Sequence, residues 1–124
     1  MKNNNLIQVK SYNFAISIIR MYQYLVKERN EFVLSKQILR CGTSIGANIE
    51  EAIGGQSDKD FFAKISIAYK EARETHYWIR LFSDTGYIDN DMKESLIAEV
   101  DSLLKIIGSI QKTMKSKLTK MTNK

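Results

Sequence analysis

The sequence predicts an all-α fold, an up-down-up-down antiparallel four-helix bundle, on three observations. The 124-residue chain contains no proline and only six glycines, so long helices can run unbroken. Apolar residues recur at three- and four-residue steps through four segments, the period of one helical face. Only short polar or glycine-containing stretches separate those segments, and short connections set consecutive helices side by side and antiparallel. Residues 1–124 make one domain, because a chain of this size can bury roughly two-thirds of its unfolded surface around a single core.

The first helix is predicted from about Leu6 to Glu28, with Ile7, Phe14, Ile18, Tyr22, Leu25 and Val26 on its inner face. Glu28 to Glu31 is a polar break too short for a crossover. The second helix, about Phe32 to Ile53, carries two adjacent stripes. Leu34, Ile38, Cys41, Ile45, Asn48 and Ala52 form one, and Leu39, Gly42, Gly46, Ile49 and Ile53 the other. So wide an apolar arc implies burial on more than one side. Gly42 and Gly46 each cost about 1 kcal/mol relative to alanine, which predicts close approach of another backbone there. Asn48 needs a partner, Ser44 or a group on the third helix, because an unpaired buried amide costs about 1–3 kcal/mol. Gly42, Ser44, Gly46 and Asn48 are therefore read as a structural core motif.

Gly54 and Gly55 end the second helix, and Ser57 caps the third with Asp60 three residues on. The third helix, about Asp58 to Ser83 and roughly 39 Å long, has a core seam of Phe61, Ile65, Ala68, Ala72, Thr75, Ile79 and Phe82. Its other flank, Ile67, Glu71, Glu74, Trp78 and Leu81, keeps the same spacing and groups large apolar side chains outside the seam, which predicts an interface for self-association. Asp84 to Gly86 form the turn, and Tyr87 and Ile88 plug the bundle end. Asp89 is the predicted N-cap of the last helix, about Asn90 to Lys117, whose seam is Leu96, Val100, Leu103, Ile107, Ile110 and Met114; a polar, partly frayed tail follows over about 117–124.

Charge narrows the function. The net charge is +5, no acid precedes Glu28, and none follows Asp101. Lys10, Lys105, Lys112, Lys115, Lys117 and Lys120 are candidate contacts to nucleic acid, through phosphates and with little sequence specificity, since no aromatic residue follows Tyr87 to stack on bases. The predicted topology gathers Lys2, Lys10 and the basic tail at the Gly54-Gly55 end, beside Glu50, Glu51, Asp58 and Asp60. Such a dipolar end can also be plain internal neutralisation.

No catalytic constellation is present. Glu50, Glu51, Glu71 and Glu74 suggest a carboxylate-bridged metal, but that site needs Glu-x-x-His pairs, and His76 follows Glu74 by two, on a different face. Arg73 and His76 stand closer than the Arg-His motif of HEPN-type helical ribonucleases requires. No phosphate-binding glycine loop and no activated nucleophile is evident. Cys41, the single cysteine, reads as a small buried hydrophobe with no disulfide. The N-terminus lacks a signal-peptide core, and no apolar run approaches the ~20 residues of a membrane span, so a soluble cytoplasmic protein with no cofactor, no membrane partner and no small-molecule substrate is expected.

The stretches CGTSIGANIEEAIGG and SDKDFFAKISIAYKEARETHYWIRLF resemble the four helix bundle proteins, also called 23S rRNA-intervening-sequence proteins. Their members are small bacterial proteins, some encoded by insertions within 23S rRNA genes. The resemblance extends from Phe14 to about Lys112 and departs at Cys41, where a serine is expected. It implies a homo-oligomer, a ring-shaped pentamer, and no enzymatic activity. Related accessory proteins of diversity-generating retroelements, remote from this sequence, bind a reverse transcriptase and nucleic acid. The expected function is a non-enzymatic homo-oligomeric binding or scaffold protein that takes structured RNA or another nucleic acid through its basic end. The alternative is a protein-interaction adaptor using the Ile67, Trp78, Leu81 flank, whose binding would survive Lys112, Lys115 and Lys117 becoming glutamate.

Overall fold

The structure, a computed structural model, describes the backbone of residues 2–122 and the side chains of residues 4–121. Four helices follow one another: α1 (Lys2–Lys27), α2 (Ser35–Ile53), α3 (Asp58–Asp84) and α4 (Asn90–Thr122). Cross-helix pairs fix their directions. Ser11 and Ile18 of α1 lie against Gly46 and Gly42 of α2. Glu51 of α2 meets Lys64 of α3, and Arg40 meets Glu71 and Glu74. Ser66 of α3 accepts from Gln111 of α4, whereas His76 faces Asp101. In each pair the positions run in opposite order, so consecutive helices run in opposite directions and form a bundle.

The seams of α3 and α4 fill the core as the periodicity predicts, except that Phe61 is only half-buried. Phe14, Ile18 and Leu25 of α1, Ile38, Ile45 and Ile49 of α2, Ile79 and Phe82 of α3, and Val100, Leu103 and Ile107 of α4 are all at most 1% exposed. Burying one such side chain stabilises by about 1.5–3 kcal/mol. The α1 seam differs in detail: Ser11 and Met21 are buried, while Tyr22 and Val26 sit on its flank, half-buried.

The two glycines of α2 face α1. A Cβ on Gly46 would lie 3.3 Å from the Ser11 carbonyl oxygen, so backbone approaches backbone there. A Cβ on Gly42 would lie 2.6 Å from Ile18 Cγ1, so this glycine makes room for a side chain. Asn48 finds its partner within α2: its Nδ2 donates to the Ser44 carbonyl at 2.9 Å and to Ser44 Oγ at 3.1 Å.

The start of α2 departs from expectation. The helix begins at Ser35, and Phe32, Val33 and Leu34 form an exposed apolar turn instead of its first residues. Glu31 is the physical cause. Its carboxylate accepts from the backbone N–H groups of Val33 at 3.3 Å, Leu34 at 3.0 Å and Ser35 at 2.6 Å, and Ser35 Oγ donates back to the Glu31 carbonyl. The orphan donors at the helix start are satisfied from outside it, which fixes its first residue. Ile53, at the other end of α2, is also exposed rather than buried.

Burial alone would raise the Glu31 carboxyl, but the N–H groups of Leu34, Ser35 and Val33 hold it below its ordinary value. A carboxylate lowered by folding stabilises above its unfolded value, and that contribution is lost as the pH falls through the folded value. Glu31→Gln is therefore expected to cost about 1–2 kcal/mol near neutral pH. In urea titrations the gap from wild type narrows below about pH 4.

The N-caps of α3 and α4 match their predicted chemistry, whereas α2 ends at Gly54 with φ −82°, without the left-handed glycine that its C-terminal chemistry predicts. Ser57 Oγ accepts from Asp60 N at 3.0 Å, and Asp89 Oδ1 accepts from Met92 N at 2.8 Å. Gly86, at φ 81°, takes the left-handed conformation in the turn after α3. Ile88 and the Tyr87 ring, edge-on to Phe82, close that end of the core. Helix α4 runs on past Lys117 to Thr122, so Lys120 is helical.

Candidate functional site

The second half of α4 presents only basic charge. Lys105, Lys112, Lys115, Lys117 and Lys120 are all exposed, and Lys112, Thr113, Ser116, Lys117 and Lys120 line a shallow depression of about 490 Å³. Part of that charge is neutralised within the chain, because Lys117 Nζ lies 3.0 Å from Asp58 Oδ2. Lys10 is turned to α4, where its Nζ donates to Ser102 Oγ at 3.1 Å. Two more acids of this end have partners: Glu50 accepts from Gln8, and Glu51 pairs with Lys64. Lys124 and the side chain of Lys2 lie outside the described residues.

The α3 flank is a mixed surface. Ile67 points outward at 41% exposed, whereas Trp78 and Leu81 are half-buried. Trp78 packs on the core beside Phe82, and its Nε1 donates to Glu74 Oε2 at 3.3 Å. Glu71 and Glu74 are both held by Arg40, at 3.1 and 2.6 Å, a bridge that ties α2 to α3. The carboxylates of this flank are thus paired within the chain.

A larger apolar surface lies on α1, and the sequence reading missed it. Leu6, Val9, Tyr12, Ile16 and Ile19 step by three and four along the side opposite the buried seam, and Val9 and Tyr12 are 59% and 64% exposed. A helix apolar on two opposite sides is the pattern of an element covered on both. The signal was present as a second row at the same period, on a segment free of acids.

Chemistry of the reactive groups is muted. Cys41 is fully buried, and burial pushes its thiol up to about 11 against the opposing hydrogen bond from Thr75. It stays protonated near neutral pH and is no nucleophile. His76 is held between neighbours: its Nδ1 accepts from Arg80 Nε at 3.1 Å, and its Nε2 lies 3.3 Å from Asp101 Oδ1. Among the described residues no group of three or more His, Cys, Asp or Glu side chains is placed to hold a metal ion, and no helix is long and apolar enough to cross a membrane.

Comparison with known proteins agrees with the fold. The chain is similar to a solved structure, a protein of unknown function from the S23 ribosomal protein family of Bacteroides thetaiotaomicron VPI-5482. Identity is 48%, with a TM-score of 0.87 over 89% of this chain and 98% of that one. No curated protein matches. Residues 3–109 match the family described as 23S rRNA-intervening sequence protein. The chain therefore belongs to the 23S rRNA-intervening sequence protein family.

Proposed function

We propose that the protein is a non-enzymatic, self-associating helical bundle that works in the cytoplasm as a scaffold for structured RNA. The observation that carries this reading is the exposed apolar row of α1, Val9, Tyr12, Ile16 and Ile19, which none of the other described residues covers. A head-to-tail ring needs two different patches on each copy. The α1 row is one, and the α3 flank around Ile67 is the other, so that α1 of one copy meets α3 of the next and a ring such as a pentamer closes. The basic half of α4 lies apart from both patches, and a ring repeats it once per copy, which multiplies weak phosphate contacts into avid binding.

Sedimentation equilibrium tests the assembly. The expected species is a multiple of 14.3 kDa, five-fold for a pentamer, that persists on dilution through the micromolar range. A single chain at every concentration would overturn the reading.

A further inference from the structure

The lysines of α4 are not the whole of the basic surface. On α3, Lys70, Arg73, Tyr77 and Arg80 step by three, four and three and are all exposed, so they share one outward face. On α4, Asp101, Lys105, Gly108 and Lys112 step by four, three and four. Asp101 faces His76, and a Cβ on Gly108 would lie 3.5 Å from Tyr69, so this second row borders α3. Along the α3 row lies a groove of about 640 Å³ lined by Arg73, Glu74, His76, Tyr77 and Arg80, with Leu104 as its α4 wall.

Cations outnumber carboxylates along it. Glu74 is taken by Arg40 and Trp78, and Asp101 faces His76. Among the described residues Lys70, Arg73, Lys105 and Lys112 have no carboxylate partner within salt-bridge distance. In the middle stands Tyr77, 50% exposed, with the Arg80 guanidinium 6.0 Å from its ring centroid and Trp78 edge-on at 5.6 Å. A solvent-exposed aromatic ring steadied by an arginine and flanked by cations at helical spacing is the chemistry of a stacking platform for unpaired bases.

Resting on the RNA-scaffold reading, we propose that this α3–α4 groove takes a single-stranded stretch of nucleic acid. One base stacks on Tyr77, Arg73 and Arg80 hold the flanking phosphates, and the strand continues past Lys105 and Lys112 onto the lysine face of α4. Unpaired loops of a structured RNA are the occupant that suits it, because bases inside a duplex present no ring face to stack on.

The test uses the full chain at low salt and three fluorescein-labelled probes: a short oligouridine, the corresponding oligodeoxythymidine and a fully paired RNA duplex, read by anisotropy. Wild type binds the single strands more tightly than the duplex. Tyr77→Ala weakens single-strand binding roughly five- to hundred-fold with the salt slope unchanged, because a stack and no phosphate contact is lost, and Tyr77→Phe restores it. Arg73→Gln lowers the salt slope by about one. Arg20→Gln, a charge loss on α1, leaves both unchanged. As a second readout, oligouridine quenches the fluorescence of Trp78, the one tryptophan of the chain and next to Tyr77.

Equal loss on RNA and DNA assigns the groove to single strands of either sugar, and a larger loss on RNA assigns it a 2′-hydroxyl contact. Wild-type binding that Tyr77→Ala leaves intact, or a protein that prefers duplex, overturns the groove while the RNA-scaffold reading stands. Wild type that binds no probe overturns both, and a protein partner would then be the occupant of the surface.

Discussion

Replacing Val9 and Ile16 together by aspartate is expected to reduce the assembly to single chains. Both side chains project from α1 away from the core, so the bundle itself loses little, and helical circular dichroism and the unfolding midpoint stay close to wild type. At an interface, two carboxylates buried without partners cost several kcal/mol each. That exceeds what a contact built on a few apolar side chains supplies, so sedimentation should show one chain at concentrations where wild type is assembled. Trp78→Ala would be a poorer probe, because Trp78 also packs on the core beside Phe82, and its loss would confound assembly with stability.

Gly46→Leu is expected to destabilise the fold by about 1–3 kcal/mol through overpacking. Already the first added atom would sit 3.3 Å from the Ser11 carbonyl oxygen, a backbone atom that can move only if α1 moves. Opposing this is a helix-propensity gain of about 1 kcal/mol for replacing glycine, which a leucine cannot realise without displacing α1. Gly46→Ala separates the two effects. It takes the propensity gain with only a tight contact, so its midpoint in urea should lie near wild type, and Gly46→Leu should fall clearly below both. A Gly46→Leu protein as stable as wild type would mean that α1 and α2 do not meet there.

Much of the fold was legible because α3 and α4 repeat one apolar face at constant spacing. Ile65, Ala68, Ala72, Ile79 and Phe82, and Leu96, Val100, Leu103, Ile107, Ile110 and Met114, are buried as the period requires. Caps made by neighbours in sequence, Ser57 with Asp60 and Asp89 with Met92, were equally legible. Glu31 was not, because its cap acts on N–H groups two to four residues ahead across a turn, and a polar residue in a break looks like any other.

The candidate surfaces were less legible for two further reasons. On α1 the outer row through Val9 and Ile16 lies opposite the seam through Phe14 and Ile18 instead of beside it, unlike the second stripe of α2, so it does not widen one apolar arc. The groove at Tyr77 exists only where α3 and α4 lie together, joining Arg73 and Arg80 to Leu104 across 24 to 31 positions of sequence. Reading α4 alone led to the expectation that no aromatic residue stands beside the cations. Tyr77 supplies one from the neighbouring helix.

Crosslinking in cells followed by sequencing of bound RNA tests the RNA-scaffold reading most directly. The control is Lys112, Lys115 and Lys120 changed to glutamate, sparing Lys117, which pairs with Asp58. The account predicts RNA enriched with the wild-type protein and lost with the control. Recovery no greater than background for wild type, or equal for both proteins, would contradict it.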